Sequence, residues 1–234
     1  MAERYDEAVK EYDRWLGVSL QDEVRGVAGR IPVKPSQNVL DISTGTGAML
    51  IRLREAHPRF AAQLVGVDLS MGILSVAHRK FEAAGIEALL LHAHVNDLPL
   101  TDESFDLITH SGGINTFSDI SATLREWMRV LKPEGTLLIV DEGLSPSARK
   151  TQRGIRVVED NKLFGLQPPL EHLPAHLKNI ELKWIARDTF YAMICQKLSV
   201  DELQQLKTNG TEQKHIGELV EGLRKEDQDP AKPE

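Results

Sequence analysis

The sequence predicts an α/β fold in which helices cover both faces of a mostly parallel sheet. Between residues 38 and 141, short apolar runs alternate with amphipathic helical segments, a pattern typical of a doubly wound sheet. The runs Leu89-Leu90-Leu91 and 137–140 are continuously apolar, as expected for strands that are buried on both faces. Two further strand-like runs, separated by Arg187-Asp188, predict an antiparallel C-terminal hairpin and bring the predicted strand count to seven.

The composition is that of one globular domain with an addition. The chain has 234 residues and a net charge of −7, which argues against a dedicated nucleic-acid binder. Cys195 is the only cysteine, so an internal disulfide and a multi-thiol metal site are excluded. Because no apolar run has the length of a membrane span and the first residues lack an apolar signal core, we expect a cytoplasmic protein.

Helical periodicity begins the chain, and residues 1–35 are predicted to form an N-terminal helical lid. The apolar residues that recur at helical spacing are Val9, Tyr12, Leu16, Leu20, Val24 and Val27. Pro32 and Pro35 end this region, because proline interrupts helical hydrogen bonding.

Residues 36–198 form the main predicted domain. Its strands are expected at 39–42, 63–67, 88–92, 105–109 and 136–141, and its helices at 48–55, 70–84 and 120–131. Gly85 ends the second of these helices, as glycine commonly does. The alternation stops after residue 141, so that 143–178 are expected to be an insertion before the hairpin strands 181–186 and 189–197.

Residues 199–224 are predicted to form a helical extension. Ser199 and Glu202 have the spacing of a capping box, and Asn209-Gly210 ends this first helix. An apolar stripe follows at Ile216, Leu219, Val220 and Leu223. The stripe either covers the domain's own surface or pairs with another subunit in a homo-oligomer. Residues 225–234 are charged and proline-containing, and we expect them to be disordered.

One segment carries the chemistry: Asn38-Val39-Leu40-Asp41-Ile42-Ser43-Thr44-Gly45-Thr46-Gly47. A strand runs into a glycine-containing turn and then a helix, whose N-terminus attracts an anionic group. Asp68 follows at the end of the second strand, where a carboxylate binds ribose hydroxyls. The alternative is a tight turn with a solvent-exposed aspartate. Leu50 occupies the position of the third glycine of a dinucleotide fingerprint, which argues against a nicotinamide-dependent oxidoreductase.

This segment resembles motif I of class I S-adenosylmethionine (SAM) dependent methyltransferases, and three further stretches match that family in order. Residues 64–70 resemble its acidic loop, 96–106 the stretch before its fourth strand, and 129–136 the turn before its fifth strand. With the hairpin, the resemblance reaches residue 197. Tyr12-Asp13 is similar to the lid of the ubiquinone/menaquinone-type ("type 11") small-molecule group.

The resemblance implies a Rossmann-like domain that transfers a methyl group from SAM to a small-molecule acceptor, gives S-adenosylhomocysteine and needs no metal. The cofactor-binding residues that it implies are Tyr12, Asp41, Ser43, Gly45, Thr46, Gly47, Asp68, Leu69, Ser70, His94, Val95, Asn96, His110 and Ser111. Two positions depart from the family pattern. Ser43 replaces the first glycine, and His94 replaces the aspartate at the adenine amine, which leaves His94, Asn96 or a backbone group to contact adenine.

The acceptor site is expected at residues 110–115, because ligands bind at the carboxyl ends of parallel strands. His110 is the catalytic candidate there, as a general base; the alternative is a histidine that is hydrogen-bonded to the cofactor or its loop. Asp141 and Glu142 either contact the acceptor or a metal, or cap the next segment. His172 and His176 have metal-ligand spacing, but Pro174 lies between them and no metal is predicted.

Residues 143–178 are expected to form a roof over the acceptor. Its basic residues, which are Arg149, Lys150, Arg153 and Arg156, either bind an anionic acceptor or form a solvated face. Phe164, Leu166 and Pro168-Pro169 are either an apolar wall or ordinary core. The alternative functions are a methyltransferase acting on protein or nucleic acid and a non-catalytic SAM-binding scaffold protein. The segment after the fourth strand is unlike the N-P-P-Y sequence of nucleic-acid amino methyltransferases, and a membrane partner is not expected.

Overall fold

The computed structural model of the protein describes residues 20–31, 33–34, 36–58 and 63–228. Most of the predicted N-terminal lid, including Tyr12, and the last six residues lie outside these ranges. Within the described ranges, no helix has the length and apolar content that a membrane crossing requires.

The described strands form one seven-stranded sheet in the order β3-β2-β1-β4-β5-β7-β6. They are β1 (Val39–Ile42), β2 (Leu64–Asp68), β3 (Leu89–His92), β4 (Phe105–Ser111), β5 (Leu131–Glu142), β6 (Leu177–Ile185) and β7 (Phe190–Lys197). Strands β1 to β5 are parallel, and β7 runs antiparallel to both β5 and β6. The predicted fold class is therefore confirmed. Because the chain crosses from β3 to β4, the carboxyl ends of β1 and β4 meet at the point where the strand order reverses.

Helices cover both faces of this sheet. They are α1 (Leu20–Ala28), α2 (Ala48–Ala56), α3 (Met71–Ala84), α4 (Ile120–Val130), α5 (Gln152–Asp160), α6 (Val200–Asn209) and α7 (Glu212–Gln228). On one face, α1, α2 and α3 share an apolar core with Val39 and Leu138. On the other face, α4 and α7 share a core with Ile42 and Ile139.

The helix ends follow the local signals that the sequence contains. The Ser70 side chain accepts a hydrogen bond from the Ile73 N–H group and begins α3, while Gly85 ends it with a φ of 63°. Ser199 and Glu202 form the predicted capping box of α6, and Gly210 ends that helix. Each cap satisfies backbone groups that have no partner inside the helix.

The C-terminal stripe covers the domain's own surface. Ile216, Val220 and Leu223 are buried in the same core as β5 and β7, and α7 packs against β6. The stripe therefore needs no second subunit for its burial. Disorder from residue 225 onward was predicted wrongly for the first four residues, because α7 continues to Gln228 and an i,i+4 ion pair joins Glu221 to Lys225 at 2.7 Å.

The hairpin differs from its prediction at the turn. The last cross-strand pair is Ile185 with Phe190, so four residues connect the strands instead of the two that were expected. Ala186, Arg187 and Asp188 all have positive φ, and the Thr189 hydroxyl donates a hydrogen bond to the Ala186 carbonyl at 2.6 Å. These backbone conformations and this hydrogen bond form the turn. Apolar periodicity does not predict them, which is why the turn was predicted to be too short.

Gly47 joins the motif turn to α2, and we predict that it tolerates no side chain. Its φ is 82°, and a Cβ atom there would overlap the ring of Phe81. Gly47→Ala should therefore lower the free energy of unfolding by about 2–4 kcal/mol, from backbone strain and overpacking together. Urea denaturation measures this change.

The matched control is Gly217→Ala on α7, where a Cβ atom meets nothing within 4 Å. Because alanine favours a helix over glycine, this variant should be as stable as the wild type or more stable. Equal losses in the two variants would contradict the packing argument.

Candidate active site

Asp41 lies at the centre of the site, buried beneath the turn that follows β1. Its carboxylate accepts hydrogen bonds from the hydroxyls of Thr44 at 2.6 Å and Thr109 at 2.7 Å. Thr44 belongs to the turn and Thr109 to β4, so one carboxylate joins the turn to two strands. Burial raises the pKa of Asp41 to about 6, although both hydroxyls lower it. Asp41 therefore supports the turn from within the core.

The turn presents backbone at its outer side. Ser43 and Gly45 both have a φ of 54°, so the serine adopts the left-handed conformation that a glycine in its place would adopt without strain. A Cβ atom added to Gly45 would meet only the Ser43 carbonyl, at 3.9 Å, which leaves that position open to a ligand. Thr46 is buried, and its hydroxyl accepts a hydrogen bond from Lys80 of α3 at 3.1 Å.

Asp68 lies at the carboxyl end of β2, next to the turn. One carboxylate oxygen accepts the N–H group of Gly45 and the other that of Ser70, each at 2.9 Å. The two hydrogen bonds fix the carboxylate in place. Because a carboxylate oxygen accepts more than one hydrogen bond, Asp68 retains capacity for the hydroxyls of a bound ribose.

An exposed apolar surface continues from Asp68. Leu69 is 61% exposed and Met71 is 58% exposed, which is high for large apolar side chains. Beyond β3, His94 and Asn96 are exposed. Val95 is buried, and its carbonyl accepts a hydrogen bond from the indole N–H group of Trp127 at 3.1 Å. The side chain of Asn96 thus stays open to an adenine amine, whereas Nδ1 of His94 already accepts the Asn96 N–H group at 3.5 Å and the Val95 carbonyl is already used.

His110 is fully buried near the end of β4. Its Nδ1 lies 3.0 Å from the Ile42 carbonyl, which only accepts, so Nδ1 carries the proton and Nε2 carries the lone pair. The rings of Phe117 and Trp127 lie within 5.5 Å of the imidazole, centre to centre. Burial lowers the pKa of His110, although Asp141 raises it. A neutral imidazole results, and Ser111 follows it, half-buried.

Asp141 caps the short helical turn after β4 and not the next segment along the chain, which one of the two sequence interpretations expected it to cap. Its carboxylate accepts the N–H groups of Gly113 at 3.0 Å and Ile114 at 2.6 Å, and these begin the short helical turn after β4. Glu142 follows it, and burial beside Asp141 raises the pKa of Glu142 well above its usual range. Tyr191 of β7 is paired directly with Asp141 of β5.

The basic residues of the roof do not form one anion site. Arg149 donates hydrogen bonds to the carbonyls of Leu144 at 2.9 Å and Leu166 at 2.7 Å, and these bonds hold two parts of the insertion together. The others, Lys150, Arg153 and Arg156, are exposed. Phe164 is core and packs against Phe190. Among the described residues, no group of three or more His, Cys, Asp or Glu side chains could hold a metal ion.

Sequence reasoning missed several residues that shape the site. Thr44 and Thr109 hold Asp41, Lys80 reaches the turn from α3, and Tyr191 reaches the end of β5. The contact between Thr44 and Asp41 could have been predicted from the sequence, because a hydroxyl three residues after a buried aspartate is a local signal. No local signal predicts the contacts of Thr109 and Tyr191, because these depend on which residues pair across strands.

The site fits the cofactor that the motifs imply. SAM carries ribose hydroxyls, an adenine ring and a charged amino-acid end. The ordered Asp68 carboxylate suits the ribose, and the exposed Leu69 and Met71 suit a flat ring. The open backbone at Gly45, beside the N-terminus of α2, suits a carboxylate.

Comparisons with known proteins agree with this fit. Residues 39–135 match a family model described as a methyltransferase domain. A demethylmenaquinone methyltransferase of Thermus thermophilus is 38% identical over 46% of this chain and 48% of its own length. A ubiquinone/menaquinone biosynthesis C-methyltransferase of Syntrophotalea carbinolica is 37% identical over 55% of this chain and 50% of its own length. The chain thus spans about half the length of these curated relatives.

A solved structure extends the likeness of the fold beyond the family match. A SAM-dependent methyltransferase of Aquifex aeolicus superposes with a TM-score of 0.60 at 17% identity, covering 85% of this chain and 99% of that one. This superposition shows a shared fold, and the family match confirms the resemblance that the motifs indicated for residues 39–135.

The burial of Asp41 predicts a pH dependence of stability. The pKa of about 6 in the folded protein lies above the ordinary value of 3.8. The folded protein therefore holds this proton more tightly than the unfolded chain, and the resulting stabilisation is complete below pH 3.8 and lost as the pH rises through 6. At about 1.4 kcal/mol for each tenfold difference in proton affinity, the loss is about 3 kcal/mol.

Asp41→Asn removes this titration. The free energy of unfolding of the wild type minus that of the variant should fall by about 2 kcal/mol between pH 4 and pH 7, because part of the full difference is already lost at pH 4. Urea denaturation across this range measures it. A constant difference would mean that Asp41 has the same proton affinity in the folded and unfolded states.

Proposed function

We propose, on the premise that residues 39–135 form a methyltransferase domain, that this protein is a SAM-dependent methyltransferase that acts on a small molecule. The observation that carries the proposal is the Asp68 carboxylate, fixed by the Gly45 and Ser70 N–H groups beside an open glycine turn. When bound, SAM supplies a methyl group that its sulfonium has already activated, and transfer to an acceptor leaves S-adenosylhomocysteine.

Each part of the cofactor has residues suited to it. Asp68 accepts the ribose hydroxyls. Leu69 covers one face of adenine, and the Asn96 side chain accepts its amine, because Nδ1 of His94 already accepts the Asn96 N–H group. The backbone from Ser43 to Gly47, at the N-terminus of α2, binds the carboxylate end. Asp41 holds this backbone in its left-handed conformation through Thr44.

The acceptor occupies the carboxyl ends of β4 and β5. Similarity to relatives named for quinone methylation supports an acceptor of small-molecule size. The chain supplies orientation and exclusion of water there, and alignment of the reactants is worth about 7–11 kcal/mol of barrier lowering. His110, with its neutral Nε2, is the candidate to accept a proton from the acceptor.

Two other functions predict different behaviour. A scaffold protein would bind the cofactor but turn over no acceptor. A methyltransferase for protein or nucleic acid would need a docking surface, and the basic roof residues offer only scattered exposed charges for one. A panel of small hydroxylated, amine and thiol acceptors, with S-adenosylhomocysteine release as the readout, separates these functions from the proposed one.

Cofactor binding tests the proposal through Asp68→Asn. Loss of the carboxylate should weaken S-adenosylhomocysteine binding about 10- to 100-fold, as expected for one or two hydrogen bonds to a charged group. Isothermal titration calorimetry measures this affinity, and circular dichroism checks that the variant is folded. Wild-type protein should bind SAM and S-adenosylhomocysteine but not NAD.

The control is Asp201→Asn, which removes an exposed carboxylate from α6, at the opposite edge of the sheet. It should bind S-adenosylhomocysteine as the wild type does. Unchanged affinity in folded Asp68→Asn would remove Asp68 from the ribose site, and binding of NAD alone would overturn the cofactor.

A further inference from the structure

Three buried polar atoms without a hydrogen-bond partner in the described part of the chain surround Asp141. They are Nε2 of His110, Oε2 of Glu142 and Oη of Tyr191. Nε2 of His110 lies 3.9 Å from the Asp141 carboxylate, the Glu142 side chain lies within hydrogen-bonding range of that carboxylate, and Tyr191 is the cross-strand partner on β7. All three therefore gather at the carboxyl ends of β4 and β5, where the acceptor is expected.

Such atoms are costly unless something binds them. A buried polar group that lacks a partner costs about 1–3 kcal/mol, and most buried polar groups in folded proteins are hydrogen-bonded. The neighbouring Asp141 shows the usual pattern, because its carboxylate accepts backbone N–H groups from Gly113, Ile114 and Glu142. Three neighbouring buried atoms without hydrogen-bond partners indicate a binding site, in which a ligand supplies the missing partners.

The chemistry of the three atoms defines what they bind. His110 offers a lone pair on Nε2, because its proton is held by the Ile42 carbonyl. Burial raises the pKa of Tyr191 well above its ordinary value, so the phenol keeps its proton and donates. Burial, together with a side-chain hydrogen bond to Asp141, raises the pKa of Glu142 to about 9, so this carboxyl keeps its proton near neutral pH, shares it with Asp141 and offers Oε2 as an acceptor. The cluster thus combines one O–H group, that of Tyr191, with two acceptor atoms.

The surroundings favour a neutral ligand. Phe117 and Trp127 enclose the imidazole, and Trp184 packs on Tyr191 at 6.0 Å between ring centres. An anion placed among these rings would meet the Asp141 carboxylate in a medium that screens charge poorly. A hydroxyl meets no such repulsion, and the same carboxylate stabilises a proton that arrives on Nε2 of His110.

We propose that His110, Glu142 and Tyr191 together bind the methyl acceptor, and that the part of the acceptor held there is neutral and carries a hydroxyl. The hydroxyl donates its proton to Nε2 of His110, and an acceptor oxygen accepts from the Tyr191 hydroxyl. The Asp141 carboxylate and the enclosing aromatic rings then select against anionic acceptors. This inference rests on the proposed methyl-transfer function, because it describes the acceptor side of that site.

The first test is the stability of the free protein. Tyr191→Phe removes a buried hydroxyl that has no partner, and Thr189→Val removes one of equal burial that donates to Ala186 at 2.6 Å. Thr189→Val should lower the melting temperature by about 2–4 °C, as expected for about 1 kcal/mol in a chain of this size. Tyr191→Phe should leave the melting temperature unchanged or raise it by a similar amount.

An equal loss in both variants would overturn the inference, since the Tyr191 hydroxyl would then be hydrogen-bonded, to water for example, in the free protein. This readout needs neither the cofactor nor the natural acceptor. The result of this stability test is therefore independent of the methyl-transfer assay.

The second test uses phenol and benzoate as probes, with S-adenosylhomocysteine present, in ligand-observed NMR titrations. Wild-type protein should bind phenol at least 10-fold more tightly than benzoate. Tyr191→Phe should weaken phenol binding about 3- to 10-fold, the equivalent of one hydrogen bond, without changing S-adenosylhomocysteine affinity. Glu142→Gln, whose amide keeps a neutral oxygen acceptor and an N–H donor toward Asp141, should retain phenol binding.

The outcomes separate the two proposals. If S-adenosylhomocysteine itself fails to bind, the proposed function fails. If it binds but benzoate matches phenol, neither probe binds, or Tyr191→Phe has no effect on phenol, the inference about the acceptor is overturned, while the proposed function is decided separately by turnover on the acceptor panel.

Discussion

The buried carboxylate of Asp41 is the interaction on which the candidate active site depends. It accepts one hydroxyl from the glycine turn and one from β4, and so joins three pieces of chain that meet where the strand order reverses. Its burial is unfavourable for a charge, which is why its pKa rises to about 6. The two hydroxyls offset part of that cost, and the open backbone at Gly45 is held in place as a result.

Two further carboxylates at the same edge of the sheet act in the same way. Asp68 at the end of β2 accepts the Gly45 and Ser70 N–H groups, and Asp141 near the end of β5 accepts those of Gly113 and Ile114. Each carboxylate thus orders a loop that borders the site. The proposed cofactor and acceptor sides share one construction, in which strand-end carboxylates satisfy loop N–H groups.

Much of the fold and of the cofactor side was predictable, because the signals were local. The caps at Ser70, Gly85 and Ser199, and the stripe along α7, follow from residues three or four apart. The hairpin turn was predicted wrongly and the end of α7 was placed too early, because the backbone geometry of Ala186–Asp188 and the Glu221–Lys225 ion pair are invisible to apolar patterning. The sequence left the adenine contact open between His94, Asn96 and a backbone group for a related reason, since the hydrogen bond from the Asn96 N–H group to His94 forms only in the folded turn.

By itself, the sequence determined the strand and helix order, the glycine turn and Asp68, since periodicity, caps and motif spacing act over short stretches of chain. Only the tertiary structure decided that Thr109 binds Asp41 across 68 residues, that His110 keeps its lone pair on Nε2, and that Tyr191 meets Asp141. These contacts depend on strand register and on the side chains that burial brings together. Register is set by the packing of the whole sheet, which no single segment specifies.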